Sequence, residues 1–492
     1  MNFQSTRDKN SIKYSAAQVI KQGIAKDGGL FVPDTIPLLS KEEIIGFSSL
    51  SYPELTASLL SRFLTDYTYE ELLADCKIAY SKESFGEDAC PLIKVNENTY
   101  SLELWHGPTC AFKDMALQIM PRLLSRALDK TDEVRTALIL VATSGDTGKA
   151  ALEGYKEIEK VKICVFYPDE GVSLIQKLQM ATQEGDNVYV CAVKGSFDDI
   201  QSGVKQIFNN EKYVADLDSK GYLLSSANSI NFGRLAPQIV YYIKAYCDLL
   251  SRKEIQYGEK INVCVPTGNF GNILAAYIAK IMGLPINKLI CASNSNNILT
   301  DFLNTGRYDR NREFHLTMSP SMDILISSNL ERLIYFVSDA NVTAEYMDSL
   351  KNNGYYQVTQ EIKEQIDDNF VGYFANEEQT LNTIKKYFEE YNYLMDTHTA
   401  VAFYSLESYR NENDDDLITV VASTASPYKF ANNVFGAIFG ENEFNDLEIL
   451  KELSKKTDTP IPEPLFDIDK KEIRFNNKTT PENMYNSVLK FI

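Results

Sequence analysis

Lys113 stands in the segment His106-Gly-Pro-Thr-Cys-Ala-Phe-Lys-Asp114, directly ahead of an amphipathic pattern. From Phe112 onward, apolar residues fall at 112, 115, 116, 119, 120, 123, 124, 127 and 128, which is one face of a helix. Lys113 lies off that face, in the first turn, beside the partial positive charge of a helix N-terminus. A positive field and partial burial both disfavour an ammonium ion. The neutral amine left behind can form a Schiff base with a carbonyl or move protons. Taken alone, a solvated surface lysine is the simpler reading, being the commonest state of the residue type. Its neighbours along the chain decide against that reading.

Three further turns carry residue types suited to an anionic ligand. Pro266-Thr-Gly-Asn-Phe-Gly-Asn272 follows an apolar run and opens a helical one. Glycines there let backbone amides approach a phosphate, and the helix N-terminus supplies a favourable dipole. Thr143-Ser-Gly-Asp-Thr-Gly148 is the second turn, and Ser226-Ala-Asn-Ser-Ile-Asn-Phe-Gly-Arg234 the third, with Arg234 able to hold a phosphate bidentately or to sit in a surface ion pair. Gly145-Asp-Thr-Gly-Lys149 is not a P-loop: two residues separate its glycines, and Ala150 occupies the place of the magnesium-binding Ser or Thr. No G-x-G-x-x-G follows a strand, so a dinucleotide fingerprint is absent. Lys149 is expected on the solvated side of its helix. Thr424 ends a β-branched run, where its hydroxyl could meet a ring nitrogen or simply cap a turn.

The elements that must position these residues alternate. Strand-like runs are Ala137–Ala142, Val161–Tyr167, Val188–Val193, Tyr222–Ser226, Ile261–Val265 and Leu289–Ser293, with helical patterns over 147–160, 173–184, 197–210, 233–250 and 271–282. A further strand, Leu417–Thr424, runs into Ala425-Ser-Pro-Tyr-Lys429. Such alternation implies βαβ units and a mostly parallel sheet covered on both faces. Ligands then bind beyond the carboxyl ends of the strands, where all these turns lie. Residues 1–95 read as a separate, mainly helical cap. Residues 330–400 read as charged amphipathic helices, and from about 446 the chain becomes polar and proline-rich, a tail packed over the body.

The length, 492 residues, suggests about three domains. Net charge is −19, which argues against nucleic acid or an anionic membrane as partner, because no basic excess exists to neutralise phosphates. A small anionic substrate remains compatible, since a local field can oppose the global charge. The eight cysteines form no CxxC pairs, and several sit in apolar runs, which is free-thiol usage in a reducing compartment. Three dispersed histidines make a metal site unexpected. No signal-peptide core or membrane-length apolar stretch is seen, so a cytoplasmic protein is expected.

Taken in order, His106–Asp114, Thr143–Gly148, Asn228–Asn231 and Pro266–Asn272 closely resemble the threonine synthase family, tryptophan-synthase-β-like enzymes that use pyridoxal 5′-phosphate. Tyr14–Ile20, Gly29–Pro33 and Thr397–Ala402 also match, so the resemblance runs over roughly residues 10 to 440. It implies an α/β protein of fold type II, with two open α/β lobes of mostly parallel sheet and an N-terminal, mainly helical cap. The corresponding divisions are 1–95 for the cap, 96–445 for the catalytic region with the cofactor in the cleft between its lobes, and 446–492 for the C-terminal segment. The resemblance places the cofactor's Schiff base on Lys113, its phosphate on Gly268, Asn269, Phe270, Gly271 and Asn272, and its ring nitrogen at Thr424. An uncharged partner there moderates electron withdrawal. Implied chemistry is conversion of O-phospho-L-homoserine and water to L-threonine and phosphate, with Lys113 as the base. The substrate phosphate falls to Ser144, Asp146, Thr147, Asn228, Ser229, Asn231 and Arg234. Asp146 is awkward beside a phosphate unless bonded to amides or protonated, and orienting its loop is the other reading. Two departures stand out: Asp169–Ser173 lacks the basic residue some members carry, and Ala425-Ser-Pro427 replaces an Ala-His-Pro. A phospho-lyase or dehydratase on a similar amino acid, or a silent binding protein on the same scaffold, remain as alternatives. The oligomeric state stays open between monomer and homodimer.

Overall fold

The computed structural model describes residues 1–10, 12–143, 145–170 and 172–492. In chain order its strands are β1 (Phe3–Ser5), β2 (Phe31–Pro33), β3 (Leu92–Asn96), β4 (Thr99–Glu103), β5 (Thr136–Ala142), β6 (Val161–Pro168), β7 (Val188–Val193), β8 (Tyr222–Ser225), β9 (Ile261–Pro266), β10 (Ile286–Ser293), β11 (Arg307–Asp309), β12 (Tyr355–Gln357), β13 (Phe370–Phe374), β14 (Thr419–Ser423) and β15 (Lys478–Thr479). Two larger sheets carry the α/β architecture. One has the order β13-β10-β9-β14-β4-β3, parallel except for the β3–β4 hairpin. The other, β15-β7-β6-β5-β8, is parallel throughout. Every residue of β4, β9 and β14 is buried, as expected of strands sandwiched between helical layers. The expectation of two open, mostly parallel lobes is met.

The helices of residues 1–95 start where their sequence says they should. Ser15, Ser40, Ser51 and Thr68 each sit three residues ahead of Gln18, Glu43, Glu54 and Glu71, and all four pairs form capping boxes. Their apolar faces do not form an isolated core. Ile20, Leu59, Leu60 and Phe63 join the same cluster as Phe232, Leu235 and Ile239 of the long buried helix Phe232–Ser251. Phe3 and Phe63 both pack against the Phe232 ring, at centroid distances of 4.9 and 5.8 Å. At the other end of the chain, β15 extends the five-stranded sheet, and helix Met484–Phe491 covers Leu138, Cys164 and Cys191.

Several expectations are corrected. The pattern from 112 to 128 is not one helix but two, Asp114–Leu117 and Met120–Lys130, because Pro121 cannot donate an amide hydrogen and the ladder restarts there. The helix expected over 147–160 ends at Tyr155, and Glu157 and Lys160 take left-handed backbone angles in the turn that follows. Residues 330–400 are not helical throughout: the ribbon strand β12 and the edge strand β13 interrupt them. The hairpin β3–β4, unread in the sequence, supplies the strand that leads directly to Lys113. All eight cysteines are buried free thiols. No helix among the described residues is long and apolar enough to cross a membrane.

Candidate active site

Strands β4 and β14 run parallel, and their carboxyl ends deliver two turns to one place. The turn after β4, residues 107–113, lies antiparallel on residues 424–426 after β14. Phe112 donates its amide to the Thr424 carbonyl at 2.8 Å, and Ser426 donates to the Cys110 carbonyl at 3.1 Å. Within the first turn, the buried Asp114 carboxylate accepts from the Thr109 amide at 2.8 Å and the Thr109 hydroxyl at 2.7 Å. Burial pushes the Asp114 carboxyl up to about 6, against the pull of those bonds. Gly107 has to be glycine: a Cβ would stand 2.6 Å from that of Asp114. The result fixes Lys113 beside Thr424, with Lys113 8% and Thr424 5% exposed.

Lys113 is therefore not a surface lysine. Its Nζ donates to Ser321 Oγ at 3.1 Å and lies 3.6 Å from Asp146 Oδ2. Burial lowers its proton affinity, Lys429 and Arg234 lower it further, and Asp146 opposes them. The expected direction stands, but its main cause is desolvation, since only a four-residue helix follows. Burial pushes the Asp146 carboxyl up, yet Lys429 and Lys113 outweigh it and hold the group well below the usual carboxylate range. Asp146 Oδ1 accepts from Lys429 Nζ at 2.7 Å and Gln176 Nε2 at 2.9 Å. Of the two readings for Asp146, the geometry matches that of a residue bonded within the protein.

The glycine turn reaches the same point from β9. Phe270 takes a left-handed φ of 63° and caps helix Gly271–Ile281, whose first three amides precede its first ladder bond, from Leu274 to the Phe270 carbonyl at 3.0 Å. The Phe270 ring points away into the core against Phe370, so only its backbone lines the turn. Asn272 is buried, its Oδ1 taken by the Tyr241 hydroxyl at 2.7 Å and the Tyr242 hydroxyl at 2.5 Å, while its Nδ2 has no partner among the described residues. A Cβ at Gly268 would stand 2.7 Å from the Ser321 carbonyl oxygen, so Ser321 bridges the glycine turn and Lys113. Asn269 is exposed and gives its carbonyl to the Asn329 amide at 3.0 Å.

The residues read as substrate ligands divide. Arg234 is buried, donates Nη1 to the Ala227 carbonyl at 2.9 Å and leaves Nε without a partner among the described residues; burial pulls its guanidinium down to about 10. Asn228 is exposed at the rim, and Ser229 and Thr147 are half-buried. Asn231 is instead a helix cap and a strut: its Oδ1 accepts from the Gly233 amide at 2.9 Å and its Nδ2 donates to the Ile20 carbonyl at 2.9 Å, so both ends of the carboxamide are engaged. Ser144 lies outside the described residues. Lys149 is not on a solvated face: it is half-buried, bonded to Glu153 at 2.9 Å and to Gln183 at 2.5 Å. Sequence reasoning missed Ser321, Lys429 and the pair Asp396–His398. His398 Nδ1 lies 2.7 Å from Asp396 Oδ2, and its Nε2 accepts from the Ser321 amide at 3.2 Å, which holds the Ser321 turn in place.

Comparison with known proteins identifies the family. The family model described as "Threonine synthase N terminus" matches residues 2–80, and that described as "Pyridoxal-phosphate dependent enzyme" matches residues 91–424. Threonine synthase of Saccharomyces cerevisiae is 35% identical over 517 residues, which covers 99% of this chain and 97% of the yeast protein. Human threonine synthase-like 1 is 38% identical over 447 residues, 88% of this chain, but the match spans only 59% of that longer protein. A crystal structure of threonine synthase from Brucella melitensis with pyridoxal phosphate bound superposes with a TM-score of 0.88, at 33% identity, covering 100% of this chain and 99% of that one. With matches this long in both sequence and fold, the chain belongs to the threonine synthase family of pyridoxal-phosphate-dependent enzymes.

Proposed function

We propose that this chain uses pyridoxal 5′-phosphate to convert O-phospho-L-homoserine and water into L-threonine and phosphate, as a carbon–oxygen lyase. The observation that carries the reading is a buried lysine nitrogen of lowered proton affinity, bonded to Ser321, whose carbonyl lies directly against Gly268 of the glycine turn. The residues fit the cofactor: the Gly268–Asn272 turn, the free amides of helix Gly271–Ile281 and the unpartnered Asn272 Nδ2 suit its phosphate. Lys113 would anchor its carbonyl carbon, and the Thr424 hydroxyl would face its ring nitrogen without adding charge.

When bound, the cofactor supplies an electron sink for negative charge at the substrate's α- and β-carbons. The protein does the rest. Lys113 Nζ, as a free amine, takes the α-proton and returns protons later in the cycle. Arg234, with its spare Nε, and the rim residues Asn228, Ser229 and Thr147 would hold the substrate's phosphate until it departs; Ser144 is assigned to the same group from the sequence. Asp146 would hold charge rather than substrate. Burial around Lys113 keeps bulk water from quenching these steps until one molecule adds at the β-carbon.

Incubation with phosphohomoserine tests the reading: threonine and phosphate should appear in equal amounts. Borohydride treatment of the purified yellow protein should bleach it and leave the reduced cofactor on the Lys113 peptide. Phosphate without threonine would favour a phospho-lyase acting on the same substrate, a reading kept in view because several relatives are named only threonine synthase-like.

A further inference from the structure

The site holds one more buried cation than the reading above uses. The Lys429 side chain is wholly out of solvent, with Nζ 2.7 Å from Asp146 Oδ1 and 2.9 Å from the Thr109 carbonyl oxygen. It comes from the turn Pro427–Phe430 immediately after Thr424, and Ser426 in that turn is bonded to Cys110 on the Lys113 turn. Lys429 is thus fixed to the same strand end as the residues around it. Asp146 lies between two lysines and cannot serve both equally. Its contact with Lys429 is 2.7 Å and that with Lys113 is 3.6 Å. Attraction falls with separation, so Lys113 receives the weaker share, and the Lys429 charge also repels a proton from it.

We propose that Lys429 is a positioning residue for the reaction: by holding Asp146 to itself, it keeps the Lys113 nitrogen from being locked as an ammonium ion, so that this nitrogen gives up and takes up protons during turnover. Among the described residues, the charged and polar groups facing Lys113 are Asp146, Lys429, Arg234 and the Ser321 hydroxyl. The proposal rests on the reading of Lys113 as the cofactor-bearing, proton-moving lysine. A purely structural ion pair, pinning the 427–430 turn to helix Asp146–Tyr155, would alter stability without altering the titration of Lys113.

The test is the pH titration of the visible absorption of the loaded enzyme, which reports protonation of the Lys113 nitrogen, with the pH profile of kcat measured beside it. In Lys429→Met the released carboxylate turns to Lys113, and the midpoint should rise by about one pH unit or more, a tenfold gain in proton affinity. Adding Asp146→Asn removes that carboxylate, and the midpoint should drop below that of the wild type, because Asp146 pulls on the Lys113 proton more than Lys429 repels it. An unmoved midpoint in Lys429→Met, or a double variant that titrates like the single one, overturns the proposal. Should the single variant fail to fold, the double variant carries the test, since exchanging a whole buried pair for neutral side chains is often tolerated; a wild-type midpoint there is equally fatal. A colourless wild-type protein has no band to titrate. It would overturn the cofactor reading and this proposal with it, an outcome distinct from a coloured enzyme whose titration does not move.

Discussion

At the residue scale the site is a problem in charge burial. Lys113, Lys429 and Arg234 converge with Asp146 and Asp114 in a buried space; desolvation sets the direction of shift of Lys113, Arg234 and Asp114, whereas the neighbouring lysines override it at Asp146. Lys113→Ala removes one amine that donates to Ser321 and leans on Asp146, so we expect an intact fold and turnover reduced to background, read as threonine formation beside an unchanged circular dichroism spectrum. Asp114 gives a pH signature. Its folded-state value of about 6 lies above the ordinary aspartate value of 3.8, so the folded protein binds the extra proton between these limits. Stability from this group is therefore present at low pH and lost as pH rises through that window, by about 3 kcal/mol in total. Asp114→Asn has no such cost. Urea unfolding of both proteins should show the variant gaining on the wild type by that amount between pH 4 and pH 7, and a constant difference would remove the carboxyl from the explanation.

At the element scale, close approach of backbones sets the geometry. Helix Asp146–Tyr155 touches the short helix Asp114–Leu117 that follows Lys113 through Gly154, where a Cβ would stand 1.9 Å from the Leu117 carbonyl oxygen. Gly154→Ala must push the helix outward, and with it Asp146 at its first turn. We expect a loss of about 1–3 kcal/mol, seen as a lower melting temperature, together with at least a tenfold fall in kcat, since the amine and its counter-ion separate. Gly436→Ala is the control: nothing lies within 4 Å of its added Cβ, and helix Ala431–Phe439 should gain about 0.5–1 kcal/mol. Local signals made part of this scale legible in the sequence. The apolar runs of β5 to β10, the capping boxes of the cap and the turn Gly268–Asn272 are written in adjacent residues. Strand β4 was not, because Thr99, Ser101 and Glu103 break its apolar pattern although all five of its residues are buried. Nor could Ser321 be matched to Lys113, 208 positions away, or Lys429 to Thr109, 320 away, because those pairings arise from the crossing of elements, which no period or motif records.

At the scale of the whole molecule, a chain of net charge −19 still gathers three basic side chains, Lys113, Arg234 and Lys429, at one cleft, a local arrangement that can oppose the global charge. The parts enclosing that cleft are tied together by one fully buried side chain. Arg332 donates Nε to the Phe31 carbonyl of the cap at 3.0 Å, Nη2 to the Ile230 carbonyl of the Asn228–Asn231 turn at 2.6 Å, and Nη1 to Asn329 Oδ1. Asn329 in turn donates to the carbonyls of Ser229 at 3.3 Å and Asn269 at 3.0 Å. The cap, the Asn228–Asn231 turn and the glycine turn thus share one guanidinium. Arg332→Met takes the donor from two buried acceptors and one part-buried acceptor, which should cost about 3 kcal/mol. The loosened turns should raise both the KM for phosphohomoserine and the dissociation constant of the cofactor. Arg7 offers the comparison. It also joins the cap to helix Leu330–Phe336, through Glu331 at 2.6 Å, but contacts neither turn. Arg7→Gln should lower the melting temperature and leave KM near the wild-type value. If the two variants raise KM alike, cap attachment alone governs the cleft; if only Arg332→Met does so, the shared guanidinium is what aligns the two turns over Lys113.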